Sequence, residues 1–177
     1  VRGIAPSALG RTLEVLEQAG CTLALGASDV TLSARNGMRA VSFETGPFPA
    51  LATDVQPILM AAMTRAEGVS EITETIFENR FGHAAEYRRF GADIRVHMQT
   101  ATVVGVRATS GAIVEGTDIR AAAGLVLMGL ASEGTTTIEE IHHLDRGYEN
   151  MVEKLRILGA KLSRLPGDLE RELVIGC

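Results

Sequence analysis

The chain has 177 residues, 46% hydrophobic but only 4% aromatic and without Trp. That predicts one compact domain, or one half of a larger enzyme, with a core of Ala, Val, Ile, Leu and Met. A formal charge of −5 argues against nucleic acid or an anionic membrane as partner, and no run of 18 apolar residues is available to span a bilayer. Cys21 and Cys177, the two cysteines, stand far apart with no motif, as expected of reduced, cytoplasmic thiols.

The start, Val1-Arg2-Gly3-Ile4, has neither Met nor an apolar signal region, so the chain is expected to be cut from a longer one. Residues 6–19 carry Leu9, Leu13 and Leu16 on one stripe and read as an amphipathic surface helix. Strands are expected at Thr22–Leu25, Val30–Ala34 and Ala40–Phe43, with Asn36-Gly37 as a hairpin turn. Gly46-Pro47-Phe48-Pro49 is a rigid turn leading to Thr53-Asp54. Residues 55–66 are apolar nearly all round (Ile58 through Met63) and predict a buried helix; Pro57 lies in its first turn, where a missing N–H costs little.

A strand at Val69–Glu74 then meets the stretch Glu74-Thr75-Ile76-Phe77-Glu78-Asn79-Arg80-Phe81, which ends where a helical pattern begins. Strands are expected again at Ile94–Met98, Ala101–Val106 and Ala112–Glu115, with Ser110-Gly111 as a second hairpin turn. Thr117-Asp118 opens another apolar helix, 119–132, closed by Glu133-Gly134. A strand at Thr135–Ile141 leads to Arg146 and a surface helix, 146–158, with Met151, Val152, Leu155 and Leu158 on its stripe. Strands at Lys161–Leu165 and Glu172–Ile175 complete the chain.

These elements repeat. Gly20, Gly91 and Gly159, at intervals of 71 and 68, each follow a helix and precede a strand, as a glycine just past a helix end does. The predicted fold class is therefore α/β. Its units run buried helix, strand, surface helix, strand, strand, over about 53–116 and 117–177, with residues 1–46 forming a partial unit.

Asp54 and Asp118 can be N-caps; a carboxylate at the mouth of a buried helix can also act as a general base. Arg80 and Arg146, 66 positions apart, close equivalent stretches. A helix start disfavours a cation, so the pair predicts one anionic ligand held between them, with Arg120 in the same class. The 15 Arg against 2 Lys suit bidentate anion recognition, although codon usage explains the skew equally well. His142-His143 reads as part of a strand, with the two side chains on opposite faces, and no spacing fits zinc. No phosphate-loop, dinucleotide or nucleophile-elbow motif is present. No metal or cofactor is expected.

Four motifs together resemble a known family: Thr45-Gly46-Pro47-Phe48-Pro49 followed by Thr53-Asp54-Val55-Gln56; Thr73-Glu74-Thr75-Ile76-Phe77-Glu78-Asn79-Arg80-Phe81; Thr117-Asp118-Ile119-Arg120-Ala121; and His143-Leu144-Asp145-Arg146-Gly147-Tyr148-Glu149. In this order they resemble the UDP-N-acetylglucosamine 1-carboxyvinyltransferases, the enolpyruvyl transferases of peptidoglycan precursor synthesis, over essentially the whole chain.

The resemblance implies an inside-out α/β barrel domain, with buried helices and outer sheets, paired in the family with a second domain absent from this chain. It implies transfer of the enolpyruvyl group of phosphoenolpyruvate to the 3-hydroxyl of UDP-N-acetylglucosamine. Asp54 would be the base and Arg146 would bind phosphoenolpyruvate, with Arg80 and Arg120 completing the positive site. Asp118 would serve the proton or hydrogen-bond network, and Ile76 and Phe77 would lie against the nucleotide sugar. The family's Cys loop and N-terminal Lys-Asn pair have no counterpart here, and Leu51-Ala52 stands where Phe-Pro is more usual, so the chain alone is expected not to turn over. The alternatives are an enolpyruvyl transferase with another acceptor, such as shikimate 3-phosphate, and a non-catalytic binding homologue.

Overall fold

Two buried helices and three sheets organise the chain in a computed structural model that describes residues 1–165 and 172–176. After a 3-10 turn at Pro6–Leu9 come α1 (Thr12–Gln18), β1 (Thr22–Leu25), β2 (Val30–Ser33), β3 (Phe43–Glu44), α2 (Gln56–Met63) and β4 (Val69–Thr73). A 3-10 turn at Arg80–Gly82 leads into α3 (His83–Arg89), followed by β5 (Asp93–His97), β6 (Thr100–Val104), β7 (Ile113–Glu115) and α4 (Ile119–Ala131). The remainder is β8 (Thr135–Glu139), α5 (His142–Gly147), α6 (Met151–Ile157), β9 (Leu162–Arg164) and β10 (Leu173–Gly176). Cys177 lies outside the described residues.

The two larger sheets share one design. Their orders are β3-β4-β6-β5 and β7-β8-β10-β9. In each, the first pair is parallel (Phe43 opposite Ile72, Ile113 opposite Thr137) and the other pairs are antiparallel. Parallel neighbours need a crossover, and here each crossover is a buried helix, α2 or α4. β1 and β2 form a separate antiparallel pair. Among the described residues no strand pairing joins one sheet to another.

α2 and α4 pack against each other at the centre. Met60, Met63, Leu125 and Met128 are almost wholly removed from solvent, each burial contributing about 2 kcal/mol. Gly124 lets a neighbour come close: a Cβ there would stand 1.8 Å from the Tyr87 hydroxyl, which donates to the Pro57 carbonyl at 2.9 Å. α3 is thereby locked to both central helices. The repeated glycines behave as expected, with Gly20, Gly91 and Gly159 at φ of 94°, 90° and 96°. After Gly20 and Gly159 the next amide closes the helix, Cys21 on the Leu16 carbonyl and Ala160 on that of Leu155, both at 3.0 Å.

Several expectations are corrected. Asn36-Gly37 and Ser110-Gly111 are not hairpin turns, because the strands that follow them pair in parallel with β4 and β8 rather than folding back. The expected strand Ala40–Phe43 shrinks to Phe43–Glu44. α1 turns Val15 and Ala19 into the core, while Leu9, Leu13 and Leu16 are only half-buried. The helix expected over 146–158 is two, α5 and α6, and Leu158 is exposed. His142 and His143 open α5 instead of lying in a strand: β8 ends at Glu139, and Glu140 turns the chain at φ 56°. Their ring centres lie 4.0 Å apart, tilted by 37°, so the opposite-face argument does not apply to them. No helix among the described residues is long and apolar enough to cross a membrane.

Candidate functional site

The site gathers where α2 and α4 begin. Asp118 is the N-cap of α4, its Oδ1 accepting from the amides of Arg120 (2.8 Å) and Ala121 (3.0 Å). Asp54 stands in the matching sequence position before α2 but caps nothing; that helix is entered through Val55 without a side-chain cap. The donors that Asp118 uses lie two and three residues on. After Asp54 the first, the Gln56 amide, bonds the Thr53 carbonyl at 3.2 Å, and the second position is Pro57, which has no N–H.

Asp54 is thus left for cations. Oδ2 accepts from Arg120 Nη2 at 2.9 Å, and Oδ1 lies 3.8 Å from Arg80 Nη2. Arg80 Nη1 lies 3.8 Å from Asp118 Oδ2, so one guanidinium bridges the two aspartates. The Arg80 side chain is 17% exposed, and its Nε is buried without a hydrogen-bond partner. Arg120 Nη1 donates to the Tyr148 hydroxyl at 3.4 Å. The pKa of Arg120 is raised, chiefly by that hydrogen bond, against burial and with Asp54 adding.

The loop after β4 supplies the other face. Ile76 and Phe77 are 43% and 52% exposed, and Arg80 Cζ lies 5.8 Å from the Phe77 ring centre. Beneath Arg80, His83 is buried between the rings of Phe81 and Tyr87. Burial lowers its pKa to about 4, opposed by Asp118 and reinforced by Arg80. Burial likewise raises the pKa of Tyr87 and, farther off, of the buried Cys21 thiol.

Arg146 departs from its expected equivalence with Arg80. It sits in the last turn of α5, the helix end that suits a cation; it is exposed, and none of the described ion pairs includes it. Its helix nevertheless docks at the start of α4, where a Cβ on Gly147 would meet Ile119 at 2.4 Å. Arg146 is therefore carried to the same corner without sharing its contacts. Asp54, Arg80, Asp118 and Arg120 form one network, and Ile76 and Phe77 flank it.

Two residues of this corner escape sequence reasoning. Tyr148 reaches Arg120, and Glu74 is fully buried beneath the Ile76–Phe77 loop with four hydrogen bonds. For Glu74 a signal existed: an acid directly after a strand, flanked by Thr73 and Thr75. Chemically, the corner offers a half-exposed carboxylate able to take a proton, beside guanidinium groups able to hold an anion.

Residues 1–155 match the family model of EPSP synthase (3-phosphoshikimate 1-carboxyvinyltransferase). The chain is 48% identical over 167 residues to a UDP-N-acetylglucosamine 1-carboxyvinyltransferase of Rhodopseudomonas palustris, and 50% identical over 164 residues to that of Dichelobacter nodosus. Each match covers 93% of this chain, which spans 39% of the length of these relatives. Among solved structures, the enolpyruvyl transferase NikO from Streptomyces tendae has a TM-score of 0.80 at 34% identity, over 89% of this chain and 38% of that one. EPSP synthase from Acinetobacter baumannii has a TM-score of 0.70 at 15% identity, over 93% and 38%, and shares the fold.

Proposed function

The chain belongs to the EPSP synthase family, and from that premise we propose that it is one domain of an enzyme transferring the enolpyruvyl group of phosphoenolpyruvate to the 3-hydroxyl of UDP-N-acetylglucosamine. The names of relatives at 48% and 50% identity support this acceptor and this transfer; peptidoglycan precursor synthesis in the cytoplasm is the setting we propose for it. The observation that carries the reading is the corner itself: Asp54 held by Arg120 at 2.9 Å and Arg80 at 3.8 Å, with Asp118 across from Arg80.

In the proposed reaction the sugar hydroxyl loses its proton to Asp54 as its oxygen bonds C2 of phosphoenolpyruvate and a general acid of the enzyme's other domain protonates C3, giving a tetrahedral adduct. Elimination then expels phosphate as a C3 proton returns to that group, restoring the double bond. Arg80, Arg120 and Arg146 hold the phosphate and carboxylate charges in a site closed to water. Arg120 must loosen its grip on Asp54 as the anion arrives, because the guanidinium that pairs with Asp54 at 2.9 Å is also needed on the anion. Asp118 keeps Arg80 aimed, and Ile76 and Phe77 lie against the nucleotide sugar.

The remaining groups, including a Cys loop, belong in this reading to a partner domain. The chain alone is therefore expected to release no phosphate from UDP-N-acetylglucosamine and phosphoenolpyruvate, and to do so once joined to that domain. The joined protein with Asp54→Ala should be slowed at least about a hundredfold. Release by the isolated chain at a comparable rate, or an unaffected Asp54→Ala protein, overturns the assignment. The name of the matching family favours a second reading, shikimate 3-phosphate as acceptor; calorimetry with the two acceptors separates them.

A further inference from the structure

Glu74 ties its own loop to Thr45 and Thr53, 29 and 21 positions earlier in the chain. Its Oε1 accepts from the Thr45 hydroxyl at 2.9 Å and from the amides of Ile76 and Phe77 at 2.8 and 3.2 Å. Its Oε2 accepts from the Thr53 hydroxyl at 2.9 Å. The Thr45 oxygen itself accepts from the Thr75 amide at 3.0 Å, which turns its proton toward Glu74. All four partners donate, and the side chain is fully buried. An acceptor this committed is costly to remove, since each stranded donor loses its partner away from water.

We propose that Glu74 is the positioning residue of the site, a group that touches no substrate but sets where Asp54, Ile76 and Phe77 stand. The proposal rests on the reading that those three face the substrates. Thr53, tied to Glu74, directly precedes Asp54 and sets its distance from Arg120. The amides of Ile76 and Phe77 turn inward to Glu74, so the loop presents its two apolar side chains to solvent, with Phe77 beside Arg80. Six positions before Arg146, the matching acid, Glu140, is half-exposed and faces Nδ1 of His142 at 2.9 Å.

The test compares Glu74→Leu, Glu74→Gln and Thr53→Val in the full chain. NMR hydrogen exchange is read at the Ile76 and Phe77 amides, the Arg120 guanidinium and, as reference, the Ile72 amide. In Glu74→Leu, Ile76 and Phe77 are expected to exchange about ten- to hundredfold faster relative to Ile72, and the guanidinium faster too. Glu74→Gln should rescue both to within about threefold, because an amide oxygen can replace Oε1 and the Thr53 hydroxyl can turn to accept. Thr53→Val should speed the guanidinium alone. Rates in Glu74→Leu that follow Ile72 overturn the proposal. If Glu74→Leu does not fold, Thr53→Val decides, and an unchanged guanidinium overturns it. None of these signals needs ligand or turnover, so a failed phosphate assay leaves them intact.

Discussion

The two corners of the repeat have the same sequence plan and different physics. In the first, Asp54 is uncapped and paired, Arg80 is largely buried, and Glu74 is wholly so. In the second, Asp118 caps its helix, Arg146 is exposed, and Glu140 turns the chain at positive φ. The second corner holds a helix; the first has given up its cap and presents the same carboxylate to guanidinium groups. The difference traces to one position, three residues after each aspartate. Ala121 has an N–H to give and Pro57 has none.

The largest test of this contrast is acid. His83 lies under Arg80 and is kept neutral by burial, while three residues past Arg146 stands the exposed Glu149. Below about pH 6.5 the unfolded chain protonates this histidine, and the folded one does so only near pH 4. Between those values the unfolded state binds more protons, so stability falls as pH falls, by about 3 kcal/mol in all. Urea unfolding from pH 7 to 4 should show this loss in the parent and a much flatter profile in His83→Phe.

A smaller effect separates the aspartates directly. Asp118→Ala removes two hydrogen bonds to the first turn of α4 and should cost about 1 kcal/mol by thermal unfolding. Asp54→Ala removes half-exposed pairs and should stay within about 0.5 kcal/mol. Equal losses would mean that the corners do not differ in kind.

The smallest change is the most pointed. Pro57→Ala restores the missing donor at a cost of a few tenths of a kcal/mol, since proline also stiffens the unfolded chain. Asp54 should then turn to cap α2, and the Arg120 guanidinium signal in a nitrogen-detected spectrum should move. A signal at its parental position would show that the proline is not what frees Asp54.

Much of the architecture was legible. All-apolar runs at 55–66 and 119–132 announced buried helices, because a helix without a polar face can only sit inside. The glycines at 20, 91 and 159 announced helix ends, because residues with side chains seldom adopt positive φ there. Strand partners were less legible: Asn36-Gly37 looks local, yet β3 leaves it to pair with β4 across a whole helix. At the site, the residue types were readable and their contacts were not. Arg80 and Arg146 have matching neighbours, and only the break between α5 and α6 puts one inside the network and the other at its edge.

Sequence by itself determined the alternation of apolar helices with strands, the repeat and the motifs that place the chain in its family, since these rest on local periodicity and backbone preference. Tertiary structure alone decided which aspartate caps its helix, which arginine is buried and that Glu74 ties its loop to Thr45 and Thr53. Those outcomes depend on distances between residues as far apart as Asp54 and Arg120, 2.9 Å across the α2–α4 contact, and such a distance is fixed by how two packed helices meet, which no local pattern encodes.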